Sequence, residues 1–167
     1  MKLHLLATGA ALASIAYLQP YRPFVVSGLS MSPTFSDGQI IIAKVRPHDI
    51  ARGDVVVFHH DGETMVKRVT YLPGDTIERF WFAGEWQLPG TQKMFHSVAK
   101  MSYPKQKFVV PEGSLYVLGD NPYGSVDSRT YGVIPARDVM AVVPNVSTTN
   151  EWTLESGHVG SAIVAQM

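Results

Sequence analysis

The chain has 167 residues, enough for one domain with a hydrophobic core. Its 14 Lys and Arg residues balance its 14 Asp and Glu residues, so the charge gives no reason to expect a nucleic acid partner. The sequence has no cysteine, which excludes disulfides, thiolate catalysis and cysteine-ligated metals.

The amino-terminal segment 3–18 is apolar or small, apart from a few polar residues. As a helix it would be roughly 24 Å long, somewhat less than the ~30 Å hydrocarbon core of a bilayer. A cleaved signal peptide is one interpretation, because residues 11–13 (ALA) resemble a small-x-small cleavage site. A buried amphipathic helix is another, although the leucines are not confined to one face.

We favour a third interpretation, an uncleaved transmembrane signal anchor in residues 1–20. Pro20 and Pro23 end such a helix shortly before the polar turn described below. Lys2 would keep the amino terminus cytoplasmic and place the rest of the chain on the other side of the membrane.

Residues 21–145 show the pattern of strands and turns and predict an all-β domain. Predicted strands occupy residues 39–45, 54–58, 65–72, 76–82, 85–88, 107–110, 114–118 and 138–143. The first two are continuous β-branched runs, typical of strands covered on both faces. Within the domain, residues 76–110 predict a small hairpin and loop lobe, and residues 146–167 predict a polar C-terminal tail.

Residues 27–34 (SGLSMSPT) predict a turn that presents the hydroxyl of Ser30. The structural alternative is an ordinary Ser/Gly/Pro turn. Because a serine hydroxyl is a poor nucleophile until a neighbour takes its proton, Ser30 needs a base.

Histidine is the usual base, and His59 and His60 come before an exposed turn at Asp61. No motif links either histidine to Ser30, but a Ser/His/Asp triad remains an open alternative. A metal site from these three residues lacks further ligands at a suitable spacing, so we predict neither a metal nor a cofactor.

Lys67 is the other candidate base. On a strand it shares one face with Met65 and Val69, while Arg68 lies on the opposite face and can meet water or an acidic partner. A lysine has a reference pKa of about 10.4, so it must be desolvated to act as a neutral base near pH 7. The alternative is a lysine on a solvated strand face.

The segment 119–132 (GDNPYGSVDSRTYG) concentrates polar groups between glycines. We predict that Ser125 accepts a hydrogen bond from the Lys67 amine and orients it. Asp127 and Arg129 are predicted to form an ion pair that fixes this loop. The alternative is a polar turn between two strands.

These three segments, in this order, resemble those of type I signal peptidases. This family comprises membrane-anchored serine endopeptidases with a Ser/Lys dyad, including mitochondrial inner-membrane protease subunits. SGLSMSPT resembles the family's nucleophile box, which implies that Ser30 is the nucleophile. KRV at 67–69, with PGD at 73–75, resembles the segment of the general base and so implies Lys67. The segment 119–129 resembles the last box, in which Ser125 orients the lysine and Asp127 and Arg129 support the site.

The resemblance implies a signal-peptidase-like β-barrel or sandwich that removes signal peptides through an acyl-enzyme, after small residues at positions P1 and P3. Some family members carry a serine at the position of Gly28, so the oxyanion hole here would rely on the backbone N–H of Ser30. The predicted substrate-binding residues are Val26, Gly28, Met31, Phe35, Met65 and Val66.

The expected partners are preprotein signal peptides, the lipid bilayer and a second peptidase subunit, with no nucleic acid. The expected location is the plasma (inner) membrane, single-pass, with the catalytic domain on the extracytoplasmic side. The mitochondrial inner membrane, facing the intermembrane space, is the alternative. Two rival functions stay open: a self-cleaving repressor-type Ser/Lys protease, and a catalytically silent, membrane-anchored β-domain.

Overall fold

The computed structural model describes residues 20–47, 49–89, 103–144 and residue 146. Within these residues the strands are β1 Tyr21–Val25, β2 Ile40–Val45, β3 Val55–His60, β4 Glu63–Tyr71, β5 Thr76–Phe82, β6 Glu85–Gln87, β7 Lys105–Val109, β8 Ser114–Leu118, β9 Ile134–Pro135 and β10 Val139–Val143. The helical elements are the short helix α1 Ser128–Tyr131 and a 3-10 turn Ala136–Asp138. The described part is therefore mostly β, as predicted.

Two predicted segments fall almost wholly outside this description: the anchor, of which only Pro20 is described, and the tail, of which only Val146 is described. Across the described ranges, no helix is both long enough and apolar enough to cross a bilayer.

The described strands form two antiparallel sheets. The larger sheet has the order β1-β2-β10-β3-β4-β8-β9, and the smaller has the order β6-β5-β7. The smaller sheet lies within the predicted lobe 76–110, and its β5–β6 hairpin turns at Ala83 and Gly84, which have φ values of 53° and 88°. Positive φ at both turn residues is the geometry that suits the twist of a two-residue hairpin.

The core lies on both sides of β3. Val55 and Val57 pack into one cluster of buried residues, whereas Val56 and Phe58 pack into a second cluster. All four side chains have no exposed surface. Because side chains alternate across a strand, this confirms that β3 is covered on both faces.

The corresponding prediction for β2 is wrong. Ile41 and Ala43 are buried, but Ile40 and Ile42 are 65% and 51% exposed. The first core cluster packs against only one face of β2, and the other face is left open together with Val25 of β1. A continuous apolar run does not distinguish a doubly covered strand from one with an uncovered apolar face.

Strand β4 is paired on both edges along only part of its length. It pairs with β3 from Glu63 to Arg68, but its ladder with β8 begins only at Arg68. Within the described sheet, the edge of residues 63–67 that faces away from β3 is therefore unpaired. Lys67 lies at the end of this unpaired edge.

Candidate active site

The turn that follows β1 positions Ser30. Gly28 has φ +85°, a left-handed conformation that favours glycine, and its N–H donates to Asp37 Oδ1 at 2.7 Å. Beyond Ser30, the N–H of Phe35 donates to the carbonyl of Met31 at 2.9 Å, and both side chains are buried in the first core cluster. The hydroxyl of Ser30 is therefore presented from a turn that is anchored on both sides.

The fold brings Lys67 to this hydroxyl. Lys67 Nζ donates to Ser30 Oγ at 2.8 Å and to the carbonyl of Val66 at 3.1 Å. The lysine is only 5% exposed, so it points inward as the strand pattern predicts. The two residues proposed from the sequence thus lie in direct contact.

The surroundings of Lys67 favour its neutral form. Burial lowers the pKa of Lys67 from its ordinary value, and this desolvation outweighs the opposing attraction of the Asp127 and Asp120 carboxylates. A neutral amine is an acceptor for a hydroxyl proton, which a protonated amine is not.

Arg68, next in sequence to this lysine, has an acidic partner rather than water. Arg68 Nε and Nη2 donate to the two oxygens of Asp120 at 2.8 and 2.7 Å, and both side chains are buried. Thr34 Oγ1 also donates to Asp120 Oδ2, at 2.5 Å. Asp120 therefore ties the turn that carries Ser30 to the strand that carries Lys67.

The contacts of Asp120 and Thr34 were not predicted from the sequence, although both residues lie inside the motif segments. Asn121 is a further missed residue: its N–H donates to the carbonyl of Ser30 at 3.0 Å, and its side-chain amide donates to the carbonyl of Leu29 at 3.2 Å. In the sequence, only the polar character of these residues within the motif segments marked them as candidates for the site.

The predicted ion pair of Asp127 and Arg129 is present and buried. Arg129 Nε and Nη2 donate to the two carboxylate oxygens, each at 2.8 Å. Asp127 also caps helix α1 by accepting from the Arg129 N–H, and it accepts from the Gly119 N–H at 3.0 Å. This one carboxylate fixes both ends of the loop between β8 and α1.

The predicted hydrogen bond between Ser125 and Lys67 is not present. Ser125 Oγ is buried and has no hydrogen-bond partner among the described residues. The Lys67 amine is held instead by Ser30 and the Val66 carbonyl. The side chain of Ser125 packs against Gly119, close enough that a methyl group on that glycine would collide with its oxygen.

A groove of about 560 Å³ opens beside Ser30 and Lys67. Four of the predicted substrate-binding residues line it, namely Val26, Met31, Met65 and Val66. Those not identified from the sequence are Phe24, Val25, Ser27, Val57, Glu63, Thr64 and Val126.

Phe35 and Gly28 do not line this groove. Phe35 is turned into the first core cluster, because the residues after Ser30 form a helical turn that buries it with Met31. Gly28 is absent from the groove lining, and its neighbour Ser27 lines the groove instead. The sequence places both near Ser30, but it does not show their direction.

The histidines that the structure describes at the β3–β4 turn make other contacts. His59 Nδ1 lies 3.2 Å from Thr64 Oγ1 and 3.3 Å from the Glu63 carbonyl. The ring of His60 stacks on Tyr131, with centroids 4.3 Å apart. Neither ring is hydrogen-bonded to Ser30, whose Oγ instead accepts from Lys67 Nζ.

Comparisons with known proteins match most of this chain to one family. The family model "Signal peptidase, peptidase S26" matches residues 1–81 and 83–147. Signal peptidase I V of Bacillus subtilis is 31% identical over 137 residues, covering 72% of this chain and 82% of the relative. Signal peptidase I of Bacillus caldolyticus is 32% identical over 140 residues, covering 74% of this chain and 77% of the relative.

Among solved structures, a signal peptidase I from Enterococcus faecalis V583 is similar to this chain. It is 28% identical, with a TM-score of 0.39, and the match covers 57% of this chain and 97% of that one.

The packing around Gly119 predicts that Gly119→Ala disturbs the site. The added methyl would lie 2.5 Å from the Ser30 carbonyl and would also collide with Ser125 Oγ. We expect a loss of about 1–3 kcal/mol in the free energy of unfolding, measured by urea denaturation, as for other overpacked sites.

Gly124→Ala is the matched control in the same loop. Its methyl would meet only the side-chain amide of Asn121, at 3.1 Å. Equal losses of stability in the two variants would contradict the tight packing at Gly119.

Proposed function

Because the chain belongs to peptidase S26, the signal peptidase family, we propose that it cleaves signal peptides with Ser30 as the nucleophile and Lys67 as the general base. The chain is a signal peptidase I-type peptidase. The observation that carries the proposed mechanism is the 2.8 Å hydrogen bond between a buried lysine amine and the Ser30 hydroxyl.

In the first half of the reaction, neutral Lys67 takes the proton of Ser30 as Oγ attacks the carbonyl carbon of the scissile peptide bond. The resulting ammonium then gives this proton to the leaving amine, the C–N bond breaks, and the signal peptide remains as an ester on Ser30. In the second half, Lys67 takes a proton from water, whose oxygen attacks the ester. Return of the proton to Ser30 Oγ releases the signal peptide with a free carboxylate.

The developing oxyanion needs hydrogen-bond donors close to the attacking oxygen. The backbone N–H of Ser30 belongs to the attacking residue itself and supplies one of these donors. A single donor of this kind commonly stabilises the transition state by about 3–4 kcal/mol. Gly28 has no hydroxyl, so it contributes no side-chain donor to this hole.

The substrate is proposed to bind as an added strand along the unpaired edge of residues 63–67 in β4. The groove beside this edge has mostly apolar walls, including Val26, Met31 and Val66. Shallow apolar walls suit small side chains at P1 and P3, since alternate residues of a strand point to the same side.

The exposed face of β1 and β2 supports a bilayer as a further partner. Tyr21, Val25, Ile40 and Ile42 are 46%, 66%, 65% and 51% exposed, and the strand register places them on one face. Contiguous exposed apolar surface marks sites of interaction. Since β1 directly follows the expected anchor 1–20, we propose that this face rests on the extracytoplasmic surface of the plasma membrane, or on the corresponding surface of the mitochondrial inner membrane.

The proposed dyad predicts that Ser30→Ala and Lys67→Ala each abolish processing. We expect the rate of cleavage of a preprotein with an Ala-x-Ala site to fall by on the order of 10⁴-fold or more, as in other serine proteases that lose a catalytic residue. The measurement is single-turnover processing followed on a gel. The matched controls Ser36→Ala and Lys107→Ala, both at exposed positions, should cleave at the wild-type rate. Processing by either dyad variant at that rate would remove the mechanism.

The lowered pKa of Lys67 predicts the pH dependence of cleavage. Below this pKa the amine is protonated and inactive as a base, so kcat/KM should rise about tenfold per pH unit and level off above it. Because burial lowers the pKa, the plateau should begin below pH 10.4, the approximate reference value of lysine. A rate that is independent of pH between 5 and 9 would contradict this role.

The apolar face of β1 and β2 predicts vesicle binding even without the anchor. A fragment of residues 20–167 should sediment with phospholipid vesicles, and the double variant Ile40→Asp/Ile42→Asp should bind at least about tenfold more weakly, since a fully buried Ile contributes about 1.5–3 kcal/mol. The matched control is Val109→Asp, at a residue of β7 that is 56% exposed. Equal weakening by the control, or no binding by the wild-type fragment, would contradict the proposed bilayer contact.

A further inference from the structure

The groove beside the dyad contains two ionisable side chains among its described lining residues, Lys67 and Glu63. Lys67 is neutral in the proposed resting state. Glu63 is an exposed acidic side chain at the first position of β4. The carboxylate of Glu63 is therefore the charge that a bound peptide would meet in this groove.

Glu63 stands at a defined distance from the dyad. It precedes Lys67 by four positions on one strand, which corresponds to about 13 Å. Glu63, Met65 and Lys67 share one face of β4 because side chains alternate. A peptide strand lying along this edge would bring a residue beside Glu63 about four positions away from the residue beside Lys67.

The carboxylate of Glu63 has no cation at ion-pair distance among the residues that the structure describes. Its cross-strand neighbour is His60, which lies 3.6 Å from Asp61 instead. The ring of His59 contacts the backbone carbonyl of Glu63 rather than its side chain. Asp61, in the adjoining turn, adds a second negative charge near this end of the groove.

We propose that Glu63 is a specificity-determining residue that favours a basic side chain at P5 of the substrate. The inference rests on the proposed function, because it assumes that the groove binds the residues before the cleaved bond. With small side chains at P1 and P3 directed to one side of the peptide strand, the residue at P5 points the same way. P5 is also four residues from P1, which matches the separation of Glu63 from Lys67.

The test uses the full chain in a non-ionic detergent at pH 8 and low salt, with peptides that carry Ala at P1 and P3. A single Lys, Gln or Glu is placed at P4, P5, P6 or P7 in otherwise identical peptides, and kcat/KM is measured for each. At P5 we expect Lys to exceed Gln, and Gln to exceed Glu, by about two- to fivefold per step, the range of exposed charge pairs. The preference should shrink in 1 M salt.

Variants at Glu63 identify the source of the preference. Glu63→Gln should abolish it and Glu63→Lys should invert it, each read as the ratio of kcat/KM between the peptides with Lys, Gln and Glu at P5 within one variant. Glu112→Gln removes an exposed carboxylate that is absent from the groove lining, and it should keep the wild-type preference.

The outcomes separate this inference from the function on which it rests. Cleavage of every peptide with no dependence on charge at P5, or a preference that survives in Glu63→Lys, overturns the role of Glu63 and leaves the peptidase intact. A preference centred on P4, P6 or P7 overturns the assigned position. Failure of the wild-type chain to cleave any of the peptides overturns the proposed function and the inference together.

Discussion

The hydrogen bond between Lys67 Nζ and Ser30 Oγ is the interaction on which the rest of the site depends. It is useful for catalysis only if the amine is neutral, and two influences oppose each other at this point. Burial removes water from the amine and favours the neutral form, whereas the carboxylates of Asp127 and Asp120 favour the ammonium. Each carboxylate is paired with a buried arginine, Asp127 with Arg129 and Asp120 with Arg68. Burial is the larger influence, so the pKa of Lys67 is lowered even though two acids lie near it.

The two buried ion pairs also explain how segments far apart in sequence reach one place. Asp120 receives hydrogen bonds from Arg68 and from Thr34, so it links β4 to the turn that carries Ser30. Asp127 accepts hydrogen bonds from Arg129 and from the N–H of Gly119, which closes the loop between β8 and α1. A buried ion pair contributes little net stability because desolvation offsets the attraction. We therefore regard these pairs as fixing geometry, and the apolar clusters around β3 as the main source of stability.

Much of this arrangement follows from local patterns. The alternation of β4 predicted that Lys67 points inward, and the β-branched run of β3 predicted a doubly covered strand. The partner of Arg68 and the contact of Thr34 with Asp120 were not predicted, because the choice among several acids is made by strand order, which the sequence does not display. Phe35 was assigned to the groove because it is near Ser30 in sequence, but the helical turn after Ser30 directs it into the core. Ser125 was assigned to Lys67 from the polar segment 119–132, with the family resemblance in support, and the packing places its oxygen against Gly119 instead.

The most direct measurement of the central claim is the pKa of the Lys67 amine itself. The full chain labelled with ¹⁵N-lysine can be titrated by NMR, with the Lys67 signal assigned from its loss in Lys67→Arg. We expect a pKa of Lys67 clearly below the value of about 10.4 that a lysine has in water, because burial lowers it. A Lys67 pKa at or above about 10.4 would show a charged amine at neutral pH and would contradict the proposed base.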